Sequence, residues 1–264
     1  MRFLAAPLAA LALLAAAPVP SATPDFAYEP ARCVLPSGVV VAPERAPKLA
    51  PGVLWVHWLG EPATTNHTEF VDDARALAVH GVVSLLVDMP WSQPKWFESV
   101  RKPETDYADV VAQVVSLRRA LDCLSTMPGI DPARIAYVGH DFGAMDGALL
   151  LAADARPRYA VLMAPTLSFW EWDLLGAQPA DRAAYVAQMS AFDLPRWLPR
   201  GHQRATLLQF ANNDAYVSQA TALAFRNAVP DVDRTFKRYD IDHTLADPQA
   251  TADRRAWLIA HLGV

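Results

Sequence analysis

Short apolar runs alternate along the chain with longer amphipathic segments. Apolar runs of about four to eight residues bounded by turn residues are typical of buried strands, whereas apolar side chains at helical spacing over longer stretches predict helices. The predicted strands are residues 53–57, 82–87, 135–138, 159–163, 205–210 and 234–239, and the predicted helices are 70–80, 107–127, 142–153, 219–229 and 249–262. This alternation predicts an α/β fold with a mostly parallel sheet and helices on both faces.

One long stretch, residues 165–204, interrupts this alternation. It carries several prolines and, among other aromatic residues, Trp170, Trp172, Tyr185 and Trp197. Large aromatic side chains seek burial or a ligand, which favours a small lid of one or two helices over the carboxyl edge of the sheet. A plain surface excursion is the alternative. We call residues 165–204 the lid segment.

The N-terminus has the pattern of a secretory signal peptide. Arg2 is followed by an apolar run over residues 3–19 and by small residues at 21–22. A run of this length that contains a proline is at the short limit for a membrane span, although a single N-terminal anchor is the alternative. We therefore expect residues 1–22 to be removed and residues 23–264 to form one secreted or periplasmic domain with no stable membrane span.

Composition and sequence motifs indicate which kinds of binding partner to expect. The chain has 264 residues, of which 53% are hydrophobic and 19% charged, and its formal net charge is −5. Without a basic cluster, nucleic acid is not an expected partner. The spacing of the two cysteines, Cys33 and Cys123, resembles no metal site, and phosphate-binding and dinucleotide-binding motifs are absent from the sequence, so no metal or cofactor is expected. In an exported protein the cysteines form a disulfide, or else Cys123 is a small buried hydrophobe.

The sequence Gly-His-Asp-Phe-Gly at residues 139–143 lies between a predicted strand and a predicted helix. A sharp turn in this context is the setting of a nucleophile elbow, in which two glycines permit close packing around an exposed nucleophile. The central residue here is Asp141, where hydrolases usually carry serine. The alternative is an ordinary turn in which Asp141 caps the following helix.

Two later residues fit the same site. Asp214 follows the strand at 205–210, and His243 follows the strand at 234–239. The order nucleophile, acid, histidine, each after a strand, is that of the α/β-hydrolase triad. Asp240 and Asp242 are rival acids, but each lies very near His243 in sequence. The pattern therefore predicts a triad of Asp141, His243 and Asp214.

Backbone N–H groups are expected to form an oxyanion hole beside Asp141. One donor should be Phe142, directly after the nucleophile, and the other Leu59, in the loop after the strand at 53–57, with the Trp58 N–H as second choice. His57 is expected to be structural. Aromatic side chains near this edge suggest an apolar substrate of modest size, and the candidate substrate contacts are Trp58, Trp91, Trp170 and Tyr185.

These motifs together resemble the α/β-hydrolase superfamily over nearly the whole predicted mature chain. The segments around Asp214 and His243 and the compact lid segment are similar to dienelactone-hydrolase-like members. The elbow with Asp141 resembles the Asp-nucleophile branch, which contains epoxide hydrolases and haloalkane dehalogenases. Phe142 stands where epoxide hydrolases usually have tryptophan, and Trp58 stands where the oxyanion loop usually has glycine.

This resemblance implies a hydrolase that acts on a small molecule. An ionised Asp141 can attack a saturated carbon of an epoxide or a carbon–halogen bond, after which His243 activates water to hydrolyse the ester. One alternative is an ester or lactone hydrolase in which His243 activates water directly. The other is a binding protein without catalysis. The oligomeric state is left open.

Overall fold

Seven strands form one sheet in the computed structural model, which describes residues 23–30, 33–34, 37–45, 47–60, 64–230 and 233–264. The predicted signal peptide, residues 1–22, lies outside the described residues. The strands are β1 (Gly38–Val41), β2 (Ala50–Val56), β3 (Val83–Val87), β4 (Ile130–His140), β5 (Pro157–Met163), β6 (Ala205–Ala211) and β7 (Arg234–Tyr239).

The sheet order is β1-β3-β2-β4-β5-β6-β7, and only β1 is antiparallel to its neighbour. The chain leaves β2 in one direction to form β3 and later returns to its other side to form β4. Parallel strands diverging in this way leave a crevice at their carboxyl ends, where α/β proteins bind ligands. β2, β4, β6 and β7 all send their following loops to this edge.

Eight α-helices lie between or after the strands among the described residues. They are α1 (Val71–Ala78), α2 (Asp106–Thr126), α3 (Phe142–Ala153), α4 (Phe169–Asp173), α5 (Arg182–Met189), α6 (Leu194–Trp197), α7 (Gln219–Ala228) and α8 (Pro248–Leu262). One hydrophobic cluster joins the sheet to α2 and α3, and the other joins its opposite face to α1 and α8. This arrangement confirms the predicted α/β fold with helices on both faces.

The structure differs from the prediction in two places. β1 was not predicted, because its run of valines, Val39 to Val41, is shorter than the runs of about four to eight residues that indicate a buried strand, and it forms a half-exposed edge strand. The lid segment contains three short helices, α4 to α6, rather than one or two.

Cys33 and Cys123 are joined by a disulfide that connects the N-terminal segment to α2. This pairing settles the alternative left open by the sequence in favour of the disulfide. No helix in the described part of the chain is long and apolar enough to span a membrane.

Candidate active site

Asp141 occupies a sharp turn between β4 and α3. Its backbone angles are φ 53° and ψ −114°, a conformation that residues with a Cβ atom rarely adopt. The flanking glycines explain how the turn packs. A Cβ atom on Gly139 would collide with the carbonyl of Gly143, and one on Gly143 would collide with the carbonyl of Val56. The turn therefore has the geometry expected of a nucleophile elbow.

The structure brings Asp141, His243 and Asp214 together. His243 Nδ1 lies 2.8 Å from Asp214 Oδ2, and its Nε2 lies 3.9 Å from Asp141 Oδ1. Because Asp214 accepts from Nδ1, the ring presents Nε2 to Asp141 as a proton acceptor. Neither Nε2 nor Asp141 Oδ1 has a hydrogen-bond partner among the described residues.

Asp214 is the acid that orients His243, and the two rivals are engaged elsewhere. Its Oδ1 accepts the backbone N–H groups of Tyr216 and Val217, each at 2.8 Å. Asp240 accepts from the side chain of Asn212, and Asp242 from the neighbouring Thr244, so neither is bonded to the ring of His243.

The second oxygen of Asp141 lies against the predicted oxyanion hole. Leu59 N–H donates to Asp141 Oδ2 at 3.2 Å, and the N–H of Phe142 also favours the charged carboxylate. The Trp58 N–H points elsewhere, because it donates to Glu69 Oε2 at 2.8 Å. The carboxylate of Asp141 thus places one oxygen at the hole and the other toward His243.

Burial and hydrogen bonding shift the pKa values of Asp141 and Asp214 in opposite directions. Loss of solvent raises the pKa of Asp141 to about 7, against the opposing effects of His243 and of the N–H groups of Leu59 and Phe142. Burial also acts to raise the pKa of Asp214, but its hydrogen bond to His243 and the backbone N–H groups outweigh this effect and lower the pKa. Asp214 therefore stays ionised at neutral pH, while Asp141 titrates there.

Glu69 and His140 support this site and were not found from the sequence. His140 Nδ1 lies 2.6 Å from Glu69 Oε1, and its Nε2 lies 3.1 Å from the backbone carbonyl of His243. Its ring also stacks on Trp58, with the centroids 5.3 Å apart. The pair therefore ties the oxyanion loop to the His243 loop. The signal available was the position of His140 directly before Asp141.

His57 bridges backbone groups, as expected. Its Nδ1 lies 2.8 Å from the carbonyl of Trp58, and its Nε2 accepts the N–H of Met89 at 3.0 Å. Burial is the main reason that its pKa is lowered, so the ring is neutral.

A cavity of about 520 Å³ opens beside the triad. Its lining residues are Trp58, Leu59, Gly60, Phe97, Glu98, Trp172, Leu175, Ala215, Tyr216, Asp242, His243 and Thr244. Asp141 is 0% exposed and is not itself among the lining residues, but it contacts two of them, Leu59 through the backbone N–H and His243 through Nε2. A substrate would therefore have to displace these side chains slightly to reach the carboxylate.

Only one of the four predicted aromatic contacts, Trp58, lines this cavity. Trp91 is buried behind Phe142 with its indole N–H on the carbonyl of His57. The Trp170 indole donates to Asp193 at 3.3 Å. The lid segment contributes Trp172 instead.

Tyr185 belongs to a buried polar cluster whose members do not line the cavity. We call this cluster the lid anchor, and it consists of Arg101, Asp106, Asp173 and Tyr185. Arg101 donates to Asp106 with N–O distances of 2.6 and 2.8 Å and lies 3.3 Å from Asp173 Oδ1. The hydroxyl of Tyr185 lies 2.6 Å from Asp106 Oδ2 and 3.0 Å from Asp173 Oδ2. Tyr185 therefore joins α5 to α2 and α4 and does not face a substrate.

No group of three or more histidine, cysteine or acidic residues in the described ranges is arranged to hold a metal ion. His243 lines the cavity, and Asp141 and Asp214 lie next to it. The chemistry available there is nucleophilic attack by a carboxylate and proton transfer by an imidazole.

Neither a protein-family model nor a curated protein matches the sequence. Solved structures do match the fold. The 2,6-dihydroxy-pseudo-oxynicotine hydrolase superposes with a TM-score of 0.65 at 17% identity, over 84% of this chain and 63% of that protein, so this chain spans less than two thirds of its length. An acetyl xylan esterase from Paenibacillus sp. R4 gives 0.65 at 18% identity, over 84% of this chain and 78% of that one.

A Klebsiella pneumoniae structure assigned as a dienelactone hydrolase gives a TM-score of 0.60 at 18% identity, over 85% of this chain and 91% of that one. These similarities show that the chain has the α/β-hydrolase fold and confirm the predicted likeness to dienelactone-hydrolase-like folds. The names of the matched proteins agree better with the ester or lactone alternative than with attack on an epoxide or carbon–halogen bond.

Proposed function

We propose that this protein is a hydrolase in which Asp141 forms a covalent ester with a saturated carbon of a small substrate. The observation that supports this most directly is the orientation of the Asp141 carboxylate. Oδ2 accepts from Leu59 N–H, while Oδ1 faces His243 Nε2 at 3.9 Å and has no other partner in the described structure. One oxygen is thus free to attack, and the other is held where negative charge will later develop.

The reaction has two steps. In the first, Asp141 Oδ1 bonds to the substrate carbon, and the carbon–halogen or epoxide carbon–oxygen bond breaks with its electron pair on the leaving atom. In the second, His243 Nε2 takes a proton from water, which attacks the ester carbonyl carbon of Asp141. The oxyanion forms at Oδ2, against Leu59 and Phe142 N–H. The acyl–oxygen bond then breaks, and the alcohol leaves with the former Oδ1 and with the proton that His243 had taken from water.

Each partner has a defined task in this scheme. Asp214 holds His243 in the tautomer that leaves Nε2 unprotonated, and it stabilises the ring after proton uptake. Asp141 acts as a nucleophile only when it is ionised, so its pKa of about 7 sets the fraction of active enzyme at neutral pH.

The second candidate is hydrolysis of an ester or lactone by water that His243 activates directly. The names of the acetyl xylan esterase and the dienelactone hydrolase among the similar structures favour it. In this route Asp141 would not bond to the substrate, because attack on a carboxylic ester would give a reactive anhydride. An external carbonyl oxygen would also compete with Asp141 Oδ2 for the Leu59 N–H.

Trapping the ester separates the two candidates. The His243→Ala variant would be incubated at about pH 9 with epoxides, haloalkanes, esters and lactones, and its intact mass measured. The alkaline pH is needed because removal of His243 removes an effect that lowers the pKa of Asp141. A stable adduct on the Asp141 peptide, absent in the Asp141→Asn/His243→Ala double variant, is the expected result.

Two other results would contradict the proposal. Turnover of an ester or lactone by the wild type, with no adduct on the variant, would favour direct water attack. Binding without turnover of any of these classes would favour a non-catalytic binding protein on the same fold.

We also propose that the chain is exported. The predicted signal at residues 1–22 and the disulfide between Cys33 and Cys123 support this, because disulfides persist mainly in oxidising compartments. Cell fractionation with N-terminal sequencing should recover a chain that begins near residue 23. Recovery of the full-length chain from the reducing cytoplasm would contradict it.

A further inference from the structure

Four of the twelve residues that line the cavity beside His243 are aromatic, namely Trp58, Phe97, Trp172 and Tyr216. Three of them surround His243, with centroid distances of 5.2 Å from Tyr216, 5.4 Å from Trp172 and 6.2 Å from Trp58. Trp172 and Tyr216 also contact each other at 4.8 Å. A ligand that reaches His243 therefore passes between aromatic faces.

The described lining of this cavity carries two acidic side chains and, apart from His243, no basic one. Glu98 and Asp242 line the cavity and are exposed, and no lysine or arginine is among its described lining residues. Glu98 has no ion-pair partner in the described parts of the chain. Asp242 accepts only from the backbone N–H and hydroxyl of Thr244, which are neutral groups.

The basic side chains next to the cavity walls are already paired. Arg101 lies over the ring of Phe97, 5.5 Å from the ring centroid, but it is paired with Asp106 and Asp173. His140 lies behind Trp58 and is hydrogen-bonded to Glu69. Neither presents an unpaired positive charge to a ligand in the cavity.

We infer that this cavity selects a substrate that carries an alkylammonium or trimethylammonium group. Aromatic faces attract such a cation through their ring quadrupoles, and two unpaired carboxylates raise its concentration at the entrance. The same carboxylates repel a substrate that bears a carboxylate. This inference rests on the proposed function for the location of the site, and it adds the charge of the substrate.

Three small probes of similar shape test the inference on the wild-type protein. They are choline, its neutral isostere 3,3-dimethylbutan-1-ol and the anion 3,3-dimethylbutanoate. Dissociation constants would be measured by calorimetry or ligand-observed NMR at pH 8 and low salt. Choline is expected to bind about fivefold to thirtyfold more tightly than the neutral alcohol, and the anion more weakly than the alcohol. Equal affinities, or tightest binding of the anion, would overturn the inference.

Variants identify the cavity as the source of this preference. In the Glu98→Gln/Asp242→Asn double variant, the ratio of choline to alcohol affinity should fall by at least about threefold. Asp72→Asn is the matched control, because Asp72 is an exposed acid on α1 that does not line the cavity, and it should leave the ratio unchanged.

A second pair of variants tests the aromatic wall. Tyr216→Leu should lower the ratio of choline to alcohol affinity, whereas Tyr216→Phe, which keeps the ring, should not. An unchanged ratio in both the double variant and Tyr216→Leu would contradict the inference.

These binding experiments do not depend on turnover. A preference for choline without an aspartyl adduct on any substrate class would support the inference and count against the covalent mechanism. An adduct without a preference for choline would support the mechanism and overturn the inference.

Discussion

The protein contains two buried clusters of carboxylates, which differ in how their oxygen atoms are used. In the lid anchor, Asp106 and Asp173 both contact Arg101 and share the hydroxyl of Tyr185. In the candidate active site, Asp141 has one oxygen on Leu59 N–H and leaves the other facing His243 without a hydrogen bond.

The comparison shows that a shifted pKa does not by itself identify an active site. Burial raises the pKa of both Asp141 and Asp173 to about 7. Asp146 is buried with both carboxyl oxygens unpartnered in the described structure, and burial raises its pKa well above its ordinary value. What separates Asp141 from both is an unpaired oxygen that faces an oriented histidine, and that histidine lines a cavity.

Asp141→Asn should produce the largest change in activity. A neutral amide cannot act as the nucleophile, so kcat should fall by at least about 10⁴-fold.

The same substitution, Asp141→Asn, should stabilise the fold. Because the folded-state pKa of Asp141 lies above its ordinary value of 3.8, stability is lost as the pH rises from about 4 to about 7 and the buried carboxyl ionises. Above pH 7, the free energy of unfolding of the variant should exceed that of the wild type by up to about 4 kcal/mol.

Denaturant unfolding at pH 8 and at pH 4 measures this gain, which should vanish at the lower pH. Asp173→Asn is the matched substitution in the lid anchor. It should leave kcat nearly unchanged and give a smaller gain or a loss in stability, because Arg101 loses a partner. Equal effects of the two substitutions on kcat would remove the distinction between the clusters.

Arg101→Met should cause the largest loss of stability. It leaves Asp106 and Asp173 buried without their cation, at a cost of about 3–5 kcal/mol. Thermal and denaturant unfolding would measure this loss, with Arg75→Met on the exposed surface as the control. A change of similar size in both variants would contradict the assigned role of the lid anchor.

The pH dependence should follow the ionisation of Asp141. With a pKa of about 7, formation of the aspartyl ester should slow about tenfold for each pH unit below that value, and by about 100-fold between pH 8 and pH 5. Single-turnover rates measured across pH 5 to 9 would test this. A rate of ester formation that is independent of pH in this range would place the nucleophile elsewhere.

Tyr185→Phe should have the smallest effect. Loss of its hydroxyl removes a donor from Asp106 and Asp173 and should cost about 1–3 kcal/mol of stability. Because Tyr185 lies outside the cavity lining, KM should stay unchanged. A large increase in KM with no loss of stability would instead support the substrate contact that the sequence suggested.

Most of the fold, and the meeting of Asp141, Asp214 and His243 at one place, could be predicted from the sequence because they depend on local patterns. β6 is a continuous buried run, and Asp141, Asp214 and His243 each follow a strand whose end lies at the same sheet edge. The direction of individual aromatic side chains was not accessible. Trp170 and Trp172 are two positions apart on α4, so they point about 200° apart around the helix, and the sequence does not say which side faces the cavity.

Long-range partners were missed for a related reason. Glu69 reaches His140 across 71 positions of the chain, and no local pattern marks a carboxylate for that role. Similarly, Arg101 and Asp173 of the lid anchor are far apart in sequence and come into contact only in the packed fold.

The most direct test of the covalent mechanism is a single turnover in water enriched in ¹⁸O, with enzyme in excess over a substrate found in the trapping experiment. If Asp141 attacks, the product alcohol should carry ¹⁶O from its Oδ1, and the Asp141 peptide should gain one ¹⁸O atom. If the product carries ¹⁸O and the Asp141 peptide remains unlabelled, water attacks the substrate directly and the covalent mechanism is wrong.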